Sequence, residues 1–314
     1  MQDRTSVIVA GGCAVALVLI GSLFYPKFLS PTYLLQQLQI ASFLGIVALG
    51  AMAVILLGHI DLSVPWTFTA AAIASTTVAG MGSEAWWGIL AVPSGLVVGL
   101  LIGLLNGLGV AYLRLPSMIW TLGMNAVVLG ICVLFTGGFN PQGLASPTMR
   151  FFAIEDSFGI IPNAVFLWAA VALAAGILLR RTAFGRYVYA IGNRERATYL
   201  SGVKTNRVLI GCFMIAGLCS AIAGMLLAGY ANQAYQAMGE PYLLPGIAAV
   251  VLGGTSILGG RGTVLGTVVG VILISLIGSM LSVMQMPEAG RQIIYGLVII
   301  SMLLLYGRSQ KAAA

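Results

Sequence analysis

The chain has 314 residues, of which 60% are hydrophobic and only 7% are charged, and its formal net charge is +7. Soluble domains carry about 25% charged residues, so this composition excludes a water-soluble protein. The basic residues stand at the ends of apolar runs rather than in an exposed stripe, which excludes a nucleic-acid partner. We predict an all-α fold: a polytopic transmembrane helical bundle, surrounded by membrane lipid, in the cell (inner) membrane.

Apolar runs of about 20 residues are long enough to cross a bilayer as helices. In chain order, about ten membrane segments are predicted, at residues 6–25, 41–57, 65–80, 88–112, 116–136, 163–179, 208–230, 244–258, 263–284 and 292–306. The third and the eighth are short, and we interpret them as buried or broken helices, which are tolerated where the backbone contacts protein. Nothing marks a separate soluble region, so residues 1–314 are predicted to form a single transmembrane domain.

The lysines and arginines predict the orientation of these segments. With the N-terminus in the cytoplasm and ten spans, only Lys27, Arg150 and Arg291 of the 15 basic residues fall outside the cell. This distribution satisfies the positive-inside rule, so both termini are predicted to be cytoplasmic. The two longest connections are then an outer loop at about 137–162 and an inner loop at about 180–207.

The inner loop is the most charged part of the chain and contains signals for a short amphipathic helix. Asn193 is a good N-cap, Glu195 suits the first turn, and Gly202 is a good C-terminal stop. Ala197 and Leu200 lie three residues apart and share a face. This helix is interpreted either as a solvated, positively charged connector or as a docking surface for a cytoplasmic partner. Its candidate docking residues are Asn193, Arg194, Glu195, Arg196, Ala197, Leu200 and Gly202.

Polar and aromatic residues in or next to the spans are candidates for a substrate pathway, because sugars are bound by hydrogen-bonding groups and flat apolar faces. An ionisable residue at membrane depth is a functional candidate as well, although Asp61 could instead lie at the inner interface and cap the next helix with Ser63. For each of the others, packing is the alternative. The candidates are Asp61, Trp120, Asn125, Phe135, Asn232 and Gln233.

The sequence lacks the residues needed for ATP hydrolysis, for enzyme catalysis and for metal binding. The sequence contains no phosphate-binding G-x-x-x-x-G-K-[ST] motif, so the chain cannot be its own ATPase. It has no evident Ser-His-Asp set and no paired carboxylates, and we do not expect an enzyme. The single histidine, His59, and the four cysteines lack metal-ligand spacing, so neither a metal nor a cofactor is expected.

Four segments in order resemble one known family. They are G-H-I-D-L-S at residues 58–63, Pro116 followed by T-L-G at 121–123, the inner loop at 182–203, and A-V-V-L-G-G at 249–254 followed by G-G-R-G at 259–262. Together these segments resemble the membrane permease subunits of sugar-type ABC importers, the ribose, galactose, arabinose and xylose group. The inner loop resembles the family's coupling-helix region, which contacts the ATPase.

This resemblance implies a permease that translocates a monosaccharide or a similar small polar solute. It implies cytoplasmic ABC ATPase subunits, a second permease copy or a homologue, and an extracytoplasmic solute-binding protein as partners. The alternative is an ion- or proton-coupled secondary transporter. Such carriers usually place their coupling groups near the bilayer midplane, where this chain has almost no ionisable residues.

Overall fold

The computed structural model describes residues 11–19, 21–22, 26–82, 85–157 and 159–311, and most of them are helical. A helical segment at 11–19 (α1) is followed by eleven helices in the described part of the chain. They are α2 (Pro31–Ile55), α3 (Val64–Ala79), α4 (Ala85–Tyr112), α5 (Ser117–Thr136), α6 (Pro147–Ala153), α7 (Asn163–Arg181), α8 (Ala183–Leu200), α9 (Thr205–Ala231), α10 (Leu243–Leu252), α11 (Val264–Val283) and α12 (Glu288–Lys311). Short 3-10 helices span Pro26–Leu29 and Glu240–Tyr242, and a small antiparallel hairpin pairs β1 (Asp156–Ser157) with β2 (Ile161–Pro162).

Several helices begin at hydroxyl residues that satisfy the free N–H groups of the first turn. Ser30 accepts from the Tyr33 N–H at 3.3 Å at the start of α2, and Ser146 accepts from the Met149 N–H at 3.3 Å at the start of α6. Proline follows both serines, at the first helical position, where its missing N–H costs nothing. The local sequence therefore fixes where these helices start.

The centre of the bundle is α2, packed against α9. In their most apolar 18-residue windows, 83% of α2 and 67% of α9 is buried, compared with 17% of α5 and 22% of α7. Glycine allows the close approach of α4 to α9, because a Cβ atom on Gly217 would lie 2.1 Å from the Gly99 carbonyl oxygen. The outer helices turn leucine, isoleucine and valine side chains away from the protein, which is the arrangement expected in lipid.

The all-α, polytopic membrane fold predicted from composition is confirmed, whereas the number of spans is not. Among the described residues, six helices are long and apolar enough to cross a bilayer. They are Pro31–Ile55, Trp86–Tyr112, Ser117–Thr136, Asn163–Arg181, Thr205–Ala231 and Val264–Val283.

Four of the ten predicted spans, the first, third, eighth and tenth, are not among these six helices. The third, predicted to be short and buried or broken, is a helix of 16 residues, Val64–Ala79, most of which is buried. The eighth was predicted to reach residue 258 but ends at Leu252, because the glycines that follow form a turn in which Gly254 has φ +89°. Part of the first predicted span, residues 6–10, 20 and 23–25, lies outside the described residues. The tenth lies within α12.

The connections collect at two ends of the bundle. At one end, the turn after α2 contacts the turn after α10, since the Gly260 N–H donates to the Leu56 carbonyl at 2.9 Å. At the other end, the loop after α5 contacts the segment after α9, since the Ala145 N–H donates to the Asn232 carbonyl at 3.0 Å. The first end includes the arginine-rich helix α8, and the positive-inside rule predicts that this end faces the cytoplasm. We call these the inner end and the outer end.

Candidate functional site

The predicted docking helix is part of a longer element. The structure places it in α8, which starts at Ala183 because Thr182 Oγ1 accepts from the Gly185 N–H at 3.3 Å. The helix breaks at Arg194, whose backbone is extended (φ −155°, ψ 93°). The prediction that Asn193 caps the start of a separate helix is therefore wrong in its position: the break lies one residue later. Gly202 has φ +85° and follows the last helical turn, as its sequence position suggested.

The first half of α8 is attached to the glycine-rich turn after α10. Asn193 Nδ2 donates to the Tyr189 carbonyl at 2.9 Å and to the Gly260 carbonyl at 3.4 Å. Tyr189 Oη donates to the Gly262 carbonyl at 2.9 Å. Asn193 therefore connects α8 to the bundle instead of capping a helix.

The second half of α8 exposes apolar side chains at the inner end. Leu200 is 84% exposed and Tyr199 is 63% exposed. Ala197 is exposed as well, and it lines a shallow cavity of about 520 Å³ together with Arg186 and Val203. The end that carries the basic loops therefore exposes three neighbouring apolar side chains, Ala197, Tyr199 and Leu200.

Electrostatic contacts hold this second half of α8 in place. Glu195 pairs with Arg114, in the turn between α4 and α5, at 3.8 Å. His59, in the connection between α2 and α3, lies close enough to interact with the same carboxylate. Burial lowers the pKa of His59, and the negative charge of Glu195 offsets part of that effect. Arg194 and Arg196 remain exposed.

Asp61 is buried in the connection between α2 and α3. The Ser63 N–H and the Ser63 hydroxyl donate to Asp61 Oδ1 at 2.9 and 2.7 Å, so the carboxylate orders the turn that leads into α3. Asn106 Nδ2, from α4, donates to Ser63 Oγ at 2.7 Å. Burial raises the pKa of the Asp61 carboxyl, and the two hydrogen bonds from Ser63 act in the opposite direction.

Trp120 and Asn125 hold α5 to its neighbours. Trp120 Nε1 donates to the Leu105 carbonyl at 3.3 Å, and its ring occupies the space beside Gly109, where a Cβ atom would lie 2.0 Å from the indole. Asn125 Oδ1 accepts from the Trp66 N–H at 3.3 Å. At the inner end of α5, Thr121 Oγ1 accepts from the Leu62 N–H at 2.9 Å. Both candidates therefore have a packing or hydrogen-bonding role within the chain.

The remaining pathway candidates lie at the outer end. Phe135 lines a cavity of about 1210 Å³ between the outer ends of α3, α4 and α5 and the loop that follows α5. Asn232 ends α9 with φ +62°, and Gln233 forms a β-bridge with Leu144. The six pathway candidates thus divide between the inner end, the length of α5 and the outer end, and do not converge on one site.

One residue that the sequence did not single out organises the outer end. Gln236 Nε2 donates to Thr136 Oγ1 at 2.7 Å and to the Phe139 carbonyl at 3.2 Å, and the Gln236 N–H donates to Asn140 Oδ1 at 3.0 Å. These contacts fix the outer loop over the end of α5. They join residues about 100 positions apart, so no local pattern in the sequence indicates them.

A helical bundle with apolar outer faces, exposed apolar side chains on α8 at its basic end and a cavity at the opposite end has the architecture of a multi-pass membrane protein. Residues 33–303 match the family described as the permease component of branched-chain amino acid transport systems. The chain belongs to this family of transport permeases, and it is a protein of the cell (inner) membrane. The predicted importer permease is thereby confirmed over the ion-coupled carrier.

Individual relatives agree with this assignment. The chain is 37% identical over 291 residues to the ribose import permease protein of Bacillus subtilis (strain 168), which covers 92% of this chain and 89% of the relative. It is 32% identical over 300 residues to the ribose import permease protein of Escherichia coli (strain K12), covering 94% and 92%. It is 34% identical over 269 residues to an autoinducer 2 import system permease protein of Yersinia pseudotuberculosis, covering 85% and 75%.

Proposed function

We propose that the chain is the membrane subunit of an ATP-driven importer for a monosaccharide or a similar small polar solute. Relatives named for ribose import, aligned over about nine-tenths of both chains, support this solute class. The chain pairs with a second permease copy or a homologue. It receives the solute from an extracytoplasmic binding protein and depends on cytoplasmic ABC ATPase subunits for hydrolysis. In the full topology, about ten segments cross the membrane and both termini are cytoplasmic.

The observation that supports this function best is the exposed end of α8. Leu200 and Tyr199 project from the inner end, while Asn193 anchors the same helix to the turn after α10. A partner that covers Leu200 and the neighbouring Ala197 would therefore hold a helix that is connected to the core. In this proposal ATP-dependent closure of the ATPases moves α8, and α8 moves the turns at the inner end of the bundle. Asp61, Trp120, Asn125, Phe135, Asn232 and Gln233 remain candidates for the pathway that this movement opens.

The test uses the tagged chain expressed together with its ATPase, with membranes solubilised and the complex recovered through the tag. Leu200→Asp and Ala197→Asp place a charge where a desolvated contact is expected. Burying a leucine contributes about 1.5–3 kcal/mol, and an unpaired buried polar group costs about as much again. A loss of about 3 kcal/mol weakens association more than a hundredfold, so the ATPase should no longer co-purify.

The matched control is Leu200→Met, which keeps an apolar side chain of similar volume and should retain the ATPase. Because Leu200 is exposed, none of these variants should change the amount of folded permease in the membrane. If Leu200→Asp and Ala197→Asp both keep full co-purification and solute uptake, the segment is a solvated connector and not a docking surface. Uptake by the permease alone, driven by an ion gradient, would contradict the proposed dependence on an ATPase.

A further inference from the structure

A second cavity lies at the outer end and shares no lining residue with the cavity beside Phe135. Its volume is about 490 Å³, and it is enclosed by α2, α11, α12 and the 3-10 helix before α10. Ligand pockets typically measure about 300–1,000 Å³, so the space suits a small solute. The residues that matter for its chemistry are Gln37, Tyr242, Ser275, Arg291 and Tyr295.

The hydrogen-bonding groups in this cavity fall into two sets. One set is used within the protein: the Tyr33 hydroxyl bonds to the Ser279 hydroxyl. The other set is free, since no partner among the described residues bonds to the side chains of Gln37, Ser275, Tyr242 or Tyr295. Gln37, Ser275 and Tyr242 are partly exposed and Tyr295 is buried, and polar groups that line a pocket are satisfied by protein, water or a ligand. These four therefore offer donors and acceptors to whatever occupies the space.

The charge in the cavity is balanced. Arg291 Nη2 pairs with Glu288 Oε2 at 2.8 Å, and Arg291 Nη1 donates to Ser282 Oγ at 2.8 Å. The remaining guanidinium nitrogen, Nε, is buried with no partner among the described residues. Since Glu288 already neutralises Arg291, an anionic ligand would meet the Glu288 carboxylate beside the guanidinium. The arrangement therefore favours a neutral ligand over an anionic one.

Tyrosine supplies the rest of the lining. Tyr242 and Tyr295 combine a flat apolar ring with a polar hydroxyl, which matches a molecule that has both C–H faces and hydroxyl groups. Tyr295 is only 6% exposed, so its ring position is fixed by packing. Neutral charge, several unused donors and acceptors, and aromatic faces together describe a polyhydroxylated molecule such as a monosaccharide.

We propose that this cavity is a binding subsite for a neutral, monosaccharide-sized solute. The assignment rests on the proposed function, because it places one contact of the transported solute between α2, α11 and α12. The residues that bind are Gln37, Ser275, Tyr242 and Tyr295, beside the neutralised Arg291.

Direct occupancy is measured by cysteine protection in the full transporter in lipid nanodiscs. Ser275→Cys is introduced with Cys13→Ser, which removes the one exposed cysteine among those present. The rate of modification by a methanethiosulfonate reagent is measured with D-ribose, D-xylose or D-galactose and with D-ribose 5-phosphate. At least one neutral sugar should slow modification threefold or more, and the phosphate should slow it less. Equal rates with and without all three neutral sugars overturn the proposal, as does protection by the phosphate alone.

A second measurement uses substitutions that remove hydrogen bonds and keep shape. Gln37→Leu and Tyr295→Phe should each lower uptake of radiolabelled sugar at subsaturating concentration about 3- to 10-fold, the effect of losing one hydrogen bond. Co-purification of the ATPase should not change. The matched controls are Gln36→Leu, one residue away on the exposed side of α2, and Tyr112→Phe, at the inner end of α4; both should transport as the unmodified chain does.

The two proposals fail in different ways. If the unmodified chain and its ATPase import none of the sugars, the proposed function is wrong. If the unmodified chain imports a sugar, and Gln37→Leu and Tyr295→Phe match their controls, only the cavity has been assigned wrongly.

Discussion

Gly192 lies where α8 crosses the inner end of α2, and alanine at this position should destabilise the protein. A Cβ atom on Gly192 would lie 1.9 Å from the Leu56 carbonyl oxygen and 2.4 Å from the Gly260 nitrogen. These two atoms form a hydrogen bond of 2.9 Å with each other. Because both are main-chain atoms, neither can rotate away, so Gly192→Ala must separate α8 from α2 or break this bond.

The expected size of the effect follows from these contacts. Overpacking by one methyl group costs about 1–3 kcal/mol, and loss of the Leu56–Gly260 hydrogen bond costs about 0.5–1.5 kcal/mol. Alanine recovers up to about 1 kcal/mol through its higher helix propensity. The net free energy of unfolding should fall by about 2 kcal/mol, which lowers the melting temperature of the purified protein in detergent by several degrees.

Gly176→Ala, in α7, is the matched control, because nothing lies within 4 Å of a Cβ atom there. Its melting temperature should equal or exceed that of the unmodified protein. If Gly192→Ala melts at the same temperature as Gly176→Ala, the three backbones do not approach each other as described, and the argument for a connected inner end fails.

Three further outcomes are expected. With Cys13→Ser as background, a single cysteine placed within 137–162 should react with an impermeant thiol reagent from outside the cell. A single cysteine placed within 186–204 should react only from inside. The opposite sidedness at either position would contradict the topology. Uptake should persist when the proton gradient is dissipated at constant ATP, whereas loss of uptake would favour an ion-coupled carrier. Trp120→Ala and Asn125→Ala should change the rate or selectivity of transport without loss of assembly. Unchanged uptake in both variants would leave these residues with only the packing contacts described.

Features encoded by local patterns were predictable from the sequence. The fold class follows from apolar runs of spanning length, and the end of α8 follows from Gly202, which adopts the left-handed backbone that terminates a helix. The helical turns after the break at Arg194 were predicted to within one residue, whereas the preceding turns, which begin at the Thr182 cap, were not predicted as helix. Sequence patterns suggest which residues can cap a helix, but the tertiary contacts of Asn193 decided which one does.

The candidate site was harder to predict because its contacts join distant segments. Trp120 and Asn125 were chosen as polar or aromatic residues within a span, and the structure shows hydrogen bonds from both to neighbouring helices. Gln236 and Tyr295 escaped notice because neither belongs to a motif. Each is placed by residues many positions away, and only the packed bundle shows which polar groups have partners and which do not.

Hydrogen bonds attach both ends of α5 to the rest of the chain. This helix has 20 residues and is therefore about 30 Å long, close to the thickness of the hydrocarbon core. It is bound near its inner end through Thr121 to Leu62 and at its outer end through Thr136 to Gln236, while most of its length contacts few protein atoms. A bilayer thinner than the helix would force α5 to tilt, and the tilt would strain both hydrogen bonds at once. Because little of α5 is covered by the rest of the chain, a change in bilayer thickness would act on both hydrogen bonds through the tilt of this one helix.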